Sequence, residues 1–130
     1  MRWSEAISGH WTGTVDQAEG PPILQPDGET KVGPISFKMD FYLKTDGRLV
    51  NGEGKFRWGK EIKLQIKGGF IDGDENYLKL EYSDTNPLVL RYGTIIFNLT
   101  PDGEALEGRF VGYAPEPRKL IYGKIDLTKQ

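Results

Sequence analysis

Apolar and polar positions alternate with a period of two along most of this chain. Eight segments carry the pattern, near 7–16, 35–44, 48–58, 61–70, 76–82, 88–99, 104–113 and 119–127. The second sets Ile35, Phe37, Met39, Phe41 and Leu43 against Ser36, Lys38, Asp40, Tyr42 and Lys44. The fourth sets Ile62, Leu64, Ile66, Gly68 and Phe70 against Lys63, Gln65 and Lys67. Each is a strand with one dry and one wet face, as antiparallel sheets require. The third, seventh and eighth place glycines on the dry face: Gly52 and Gly54, Gly108 and Gly112, and Gly123. Interior glycines mark bends and close approaches, and so favour strands coiled tightly into a closed barrel. The expected fold is all-β, an eight-stranded antiparallel up-and-down barrel formed by residues 1–130 as a single domain.

The turns divide the barrel into two unlike ends. Thr45-Asp46-Gly47-Arg48, Ile71-Asp72-Gly73-Asp74 and Thr100-Pro101-Asp102-Gly103 are tight turn signals, and up-and-down counting puts them at one end. The other end receives 17–34, a long loop or lid, together with Gly59-Lys60, the loop Ser83 to Pro87 and the loop Ala114 to Arg118. Seven of the eight prolines lie in these looser connections, which makes this end the expected mouth. In so short a barrel, Trp11 is expected to plug the core and close an end.

Composition removes several classes of chemistry. The chain has no Cys, so no disulfide scaffold, thiolate metal site or cysteine nucleophile is available. A net charge of -2, from 17 Lys plus Arg against 19 Asp plus Glu, gives no general attraction to long nucleic acid or an anionic membrane. No apolar run approaches the roughly 18 residues of a spanning helix, and no signal peptide is evident, so a cytoplasmic protein without membrane contact of its own is expected. The lone His10 shares the wet face with Thr12 and Thr14, and no second His or Cys accompanies it for a zinc site. Asp72-Gly73-Asp74-Glu75 lacks the closing glutamate of a calcium loop. No nucleophile elbow, phosphate loop or inward carboxylate pair appears, so neither an enzyme nor a cofactor or metal is expected.

Cationic and aromatic side chains gather instead at the expected mouth. Arg57, Trp58 and Lys60 flank one turn, Tyr82 and Arg91 the next loop, and Tyr113, Arg118 and Lys119 the last. Trp58, Tyr82, Arg91, Tyr113, Arg118 and Lys119 are the candidate ligand-binding residues, the aromatics for stacking and the cations for an anionic group. Asp46, Asp72, Asp74, Glu75, Asp102 and Glu104 make the opposite end acidic, although Asp16, Glu19, Asp27, Glu29, Asp84 and Glu116 also reach the mouth. Arg91 keeps phase with Gly93, Ile95, Phe97 and Leu99, an inward face on which a guanidinium needs a carboxylate or an anionic ligand. A bulge near Tyr92-Gly93 that turns Arg91 to the surface is the favoured alternative.

The opening Ile7-Ser8-Gly9-His10-Trp11-Thr12-Gly13, the eight-strand meander and the closing Gly123-Lys124-Ile125-Asp126-Leu127 resemble the avidin and lipocalin group of calycin barrels. Leu106-Glu107-Gly108-Arg109-Phe110-Val111-Gly112-Tyr113, followed by a loop and Tyr122-Gly123-Lys124-Ile125-Asp126-Leu127, more closely resembles the C-terminal sensor barrels of CBASS anti-phage membrane effectors. That resemblance implies a non-enzymatic sensor for a small anionic molecule such as a cyclic nucleotide. It also implies membrane helices, which would have to precede Met1 in a longer protein unless the barrel stands alone. The aromatic box of a biotin pocket is not matched. An interaction or homo-oligomerisation module with a filled interior, or a lipocalin-like carrier of a hydrophobic ligand, is the alternative. The size of any internal cavity discriminates between a receptor and a filled barrel.

Overall fold

The computed structural model describes residues 6–18, 23–24, 26, 30–31, 35–71, 74–115 and 118–130. Each of the eight alternating segments forms a barrel strand, and a two-residue pair lies between the first two. In chain order these are β1 (Gly9–Gln17), β2 (Ile23–Leu24), β3 (Thr30–Lys31), β4 (Ile35–Asp46), β5 (Leu49–Trp58), β6 (Lys60–Ile71), β7 (Asp74–Asp84), β8 (Tyr92–Leu99), β9 (Ala105–Ala114) and β10 (Lys119–Lys129). Each long strand from β4 to β10 pairs antiparallel with its neighbour in sequence. β1 closes the ring, pairing Gly13 with Leu127 of β10 on one side and with Met39 of β4 on the other. β2 and β3 form a separate ladder, and Pro26 lies against Gly59 in the β5–β6 turn. Among the described residues no helix is long and apolar enough to cross a membrane.

The dry phase of every long strand points inward. Phe41, Leu43, Val50, Leu78, Phe97, Leu99, Leu106 and Leu127 fill the end that carries the tight turns. Trp11 is fully buried there and donates its indole N–H to the Ile7 carbonyl at 2.8 Å, which draws Ala6 and Ile7 across the base of the barrel. Lys129 anchors the same plug, with Nζ 2.6 Å from the Ala6 carbonyl and 5.6 Å from the centre of the Trp11 ring. Burial of this cluster supplies the main driving force for closure, since each large apolar side chain removed from water contributes roughly 1.5–3 kcal/mol.

Two details depart from the sequence expectation. The strand expected over 88–99 starts only at Tyr92. Polar side chains hold the preceding residues in a turn: Asp84 accepts the Asn86 N–H at 2.9 Å, and the Asn86 amide oxygen accepts the Leu88 N–H at 3.0 Å. No bulge interrupts β8 at Tyr92-Gly93; the register shift occurs between Phe70 and Ile71 in β6. The expected turn at Asp72-Gly73 lies outside the described residues, as do most of 17–34 and the acidic positions Glu19, Asp27, Glu29 and Glu116.

Candidate functional site

The base is filled by fully buried side chains, and the interior towards the mouth is less tightly filled. A cavity of about 50 Å³ opens inside the upper barrel, lined among the described residues by apolar side chains together with Tyr82 and Arg91. Its floor is Val15, Met39, Ile95, Phe110 and Ile125; Phe37 stands beyond Met39 on β4 and Ile121 beyond Ile125 on β10, nearer the mouth, and Phe56 of β5 pairs with Met39. The void is too large for a perfectly filled core and has room for water. It is about a third the size of the roughly 150 Å³ cavities that take up benzene.

Tyr82 owes its position to glycine. Inter-strand pairing sets it beside Gly93, which in turn faces Gly112 and then Ile121. The ring and hydroxyl of Tyr82 lie over the bare backbone of both glycines, where a Cβ on either would collide with the phenol. Burial pushes the Tyr82 pKa up to about 12, although the charge of Arg91 pulls it the other way. At neutral pH the group is therefore a phenol, able to donate a hydrogen bond. Among the described residues, none makes a hydrogen bond to that hydroxyl, yet none encloses a side-chain polar atom completely without a partner. The Tyr82 hydroxyl therefore opens onto space.

Arg91 is 8% exposed and lines the cavity rim, so the bulge that would have placed it on the surface is corrected. Its guanidinium was expected to need a partner, and Asp84 provides one. The Arg91 Nε donates to Asp84 at 3.2 Å, and only 9% of either side chain is exposed. Phe56 lies beneath the guanidinium, with Cζ 5.5 Å from its ring centre. Asp84 carries out two tasks, since its other oxygen holds the turn at Asn86. The pair adds no net charge to the site.

Of the six residues picked out by sequence, only Tyr82 and Arg91 line this cavity. Trp58 is half-buried beside it and packs edge-on against Phe37 at 6.3 Å. Tyr113 follows the outward phase of β9 and stacks on Tyr92 outside the barrel, with ring centres 6.0 Å apart. Arg118 and Lys119 are exposed at the β9–β10 turn, where Arg118 adopts a φ of 56°. Asp84, Phe37, Phe56 and Ile121 are site residues that the sequence reading did not select. For the last three the inward phase was a sufficient signal. For Asp84, its inward phase with Tyr82 and its distance of seven residues from Arg91 were available.

His10 belongs to a separate cluster on the outer wall. It donates to Asp40 at 2.9 Å and stacks on Tyr42 at 4.4 Å, and its hydrogen bond holds the Asp40 carboxyl below its usual range against the opposing effect of burial. Among the described residues no group of three or more His, Asp or Glu side chains is arranged to hold a metal ion.

No family model matches the chain, and no curated protein matches it. A solved structure described as "Structure of EF1p2_mFAP2b bound to DFHBI" is similar, with a TM-score of 0.71 and 9% sequence identity, over 99% of this chain and 98% of that one. At that identity the likeness bears on the fold alone.

Proposed function

We propose that this protein is a non-enzymatic receptor for a small molecule, which enters at the proline-rich mouth and occupies the upper barrel. The observation that carries this reading is the polarity of the interior: a plug of Trp11, Ile7 and Ala6 seals one end, while the other holds a cavity with Tyr82 and Arg91 at its edge. Small-molecule sites have this composition, an apolar lining with a few polar groups that fix orientation. A barrel of the same layout is described as bound to DFHBI, which supports the use of such an interior for a small ligand.

The resemblance to anti-phage effector barrels carries a finer version, in which the ligand is a cyclic oligonucleotide. Arg57, Lys60, Arg118 and Lys119 are exposed around the mouth and could meet its phosphates. The interior cation is already paired with Asp84, so the phosphates would have to stay at the rim. Thermal unfolding with a panel of cyclic nucleotides and small apolar molecules tests the proposal. A ligand at a hundred times its Kd should add about 2.7 kcal/mol of stability. No shift with any member up to millimolar concentration would count against a receptor.

One observation favours a second reading, an interaction module. Tyr92, Val111, Leu120 and Tyr122 are each at least half exposed, and with Tyr113 they form a continuous apolar face on the outside of β8, β9 and β10. Patches of this kind mark contact surfaces. Concentration-dependent sedimentation, abolished by Tyr122→Ser with Leu120→Ser, would support that role.

A further inference from the structure

The vertical order of groups in the cavity goes further than the presence of a cavity. Val15, Met39, Ile95, Phe110 and Ile125 make its floor wholly apolar. One layer nearer the mouth, Tyr82 crosses Gly93 and Gly112; its ring is buried, and its hydroxyl opens onto space with no partner among the described residues. Above it sits the Arg91–Asp84 pair, whose charges offset each other. A tyrosine buried to this extent normally aims its O–H at an acceptor, so at this height the acceptor of a ligand can take the place of water. A carboxylate at that height would stand near Asp84 as a like charge and would lose its hydration, with Arg91 already engaged.

We infer that the occupant is a neutral amphiphile that enters tail first, places a slender apolar group on the floor, and sets a hydrogen-bond acceptor such as a carbonyl oxygen at the Tyr82 hydroxyl. This rests on the receptor reading and names the chemical class that the site selects. The cavity's volume restricts the tail to an alkyl chain or a comparably narrow group. The phenol stays protonated at neutral pH, because burial raises its pKa to about 12.

Three probes of nearly equal shape isolate the acceptor and its charge: methyl butyl ketone, the alkene in which a methylidene group replaces its carbonyl oxygen, and pentanoate. Their Kd values are measured by NMR titration of the whole protein and of Tyr82→Phe, which removes only the hydroxyl. The wild type should bind the ketone more tightly than pentanoate. Tyr82→Phe should weaken the ketone roughly threefold to tenfold, the effect of one neutral hydrogen bond, and leave the alkene unchanged or tighter. The unliganded variant should melt no lower than the wild type, since no hydrogen bond to a described residue is lost. Equal losses for ketone and alkene, an unaltered ketone affinity, or tighter binding of pentanoate than of the ketone would overturn the inference while leaving a receptor in place. Failure of all three probes to bind the wild type would overturn it together with the receptor reading.

Discussion

At the scale of single residues, two polar side chains at the site are in opposite circumstances: Arg91 has a carboxylate, and the Tyr82 hydroxyl opens onto space with no acceptor among the described residues. Removing one member of a buried pair strands the other, so Arg91→Ala should cost about 3 kcal/mol in chemical denaturation. Combining Arg91→Met with Asp84→Asn removes both charges, keeps the acceptor for Asn86, and should recover at least half of that loss. A loss below about 1 kcal/mol for Arg91→Ala would mean that the pair is solvated in solution. Tyr82 makes an alkaline prediction. Its folded pKa lies near 12 against an ordinary value near 10, so between these pH values the unfolded chain has released a proton that the folded chain retains. Stability is therefore unaffected by Tyr82 below about pH 10 and falls as pH rises towards 12, by roughly 2–3 kcal/mol in total. Tyr82→Phe should remove that part of the alkaline loss, as read from the difference between the two stability–pH curves.

At the scale of elements, the β7–β8 turn and the glycine pair hold these groups in place. Asn86→Ala deletes the acceptor for Leu88 N–H and should cost about 1 kcal/mol while loosening the turn that carries Arg91, seen as faster amide exchange from Asn86 to Arg91. Gly112→Ala puts a methyl group into the Tyr82 phenol and the Tyr92 carbonyl, and should cost roughly 1–3 kcal/mol and displace the ring. Most of the architecture was legible in the sequence, because strict alternation at positions such as Ile35 to Leu43 and Ile62 to Phe70 fixes both strand identity and inward face. The start of β8 was not, since Leu88 and Leu90 keep a strand-like alternation with Val89 and Arg91. Both leucines are exposed, and local hydrogen bonds from Asp84 and Asn86 override the pattern. For Tyr113, Arg118 and Lys119 the sequence signal is only nearness to the mouth. Phase decides which wall a side chain faces, and with Gly112 inside, Tyr113 has to be outside.

At the scale of the whole molecule, the barrel is polarised by packing more than by charge. The base is closed by Trp11 and its hydrogen bond to Ile7, so Trp11→Ala should cost about 3–5 kcal/mol and destabilise the whole fold. The upper half has a void beside a Tyr82 hydroxyl that no described residue accepts, a combination that stability alone would not retain. As a receptor, the protein takes a small molecule into this void. The most direct test of this uptake is a methyl-resolved NMR titration of the protein with methyl butyl ketone. Saturable shifts are predicted at Val15, Met39, Ile95, Ile121 and Ile125 around the cavity, with Val50, Leu106 and Leu127 at the sealed base unmoved. Shifts that fail to saturate, or that saturate only at Val111 and Leu120 on the outer wall, would contradict it.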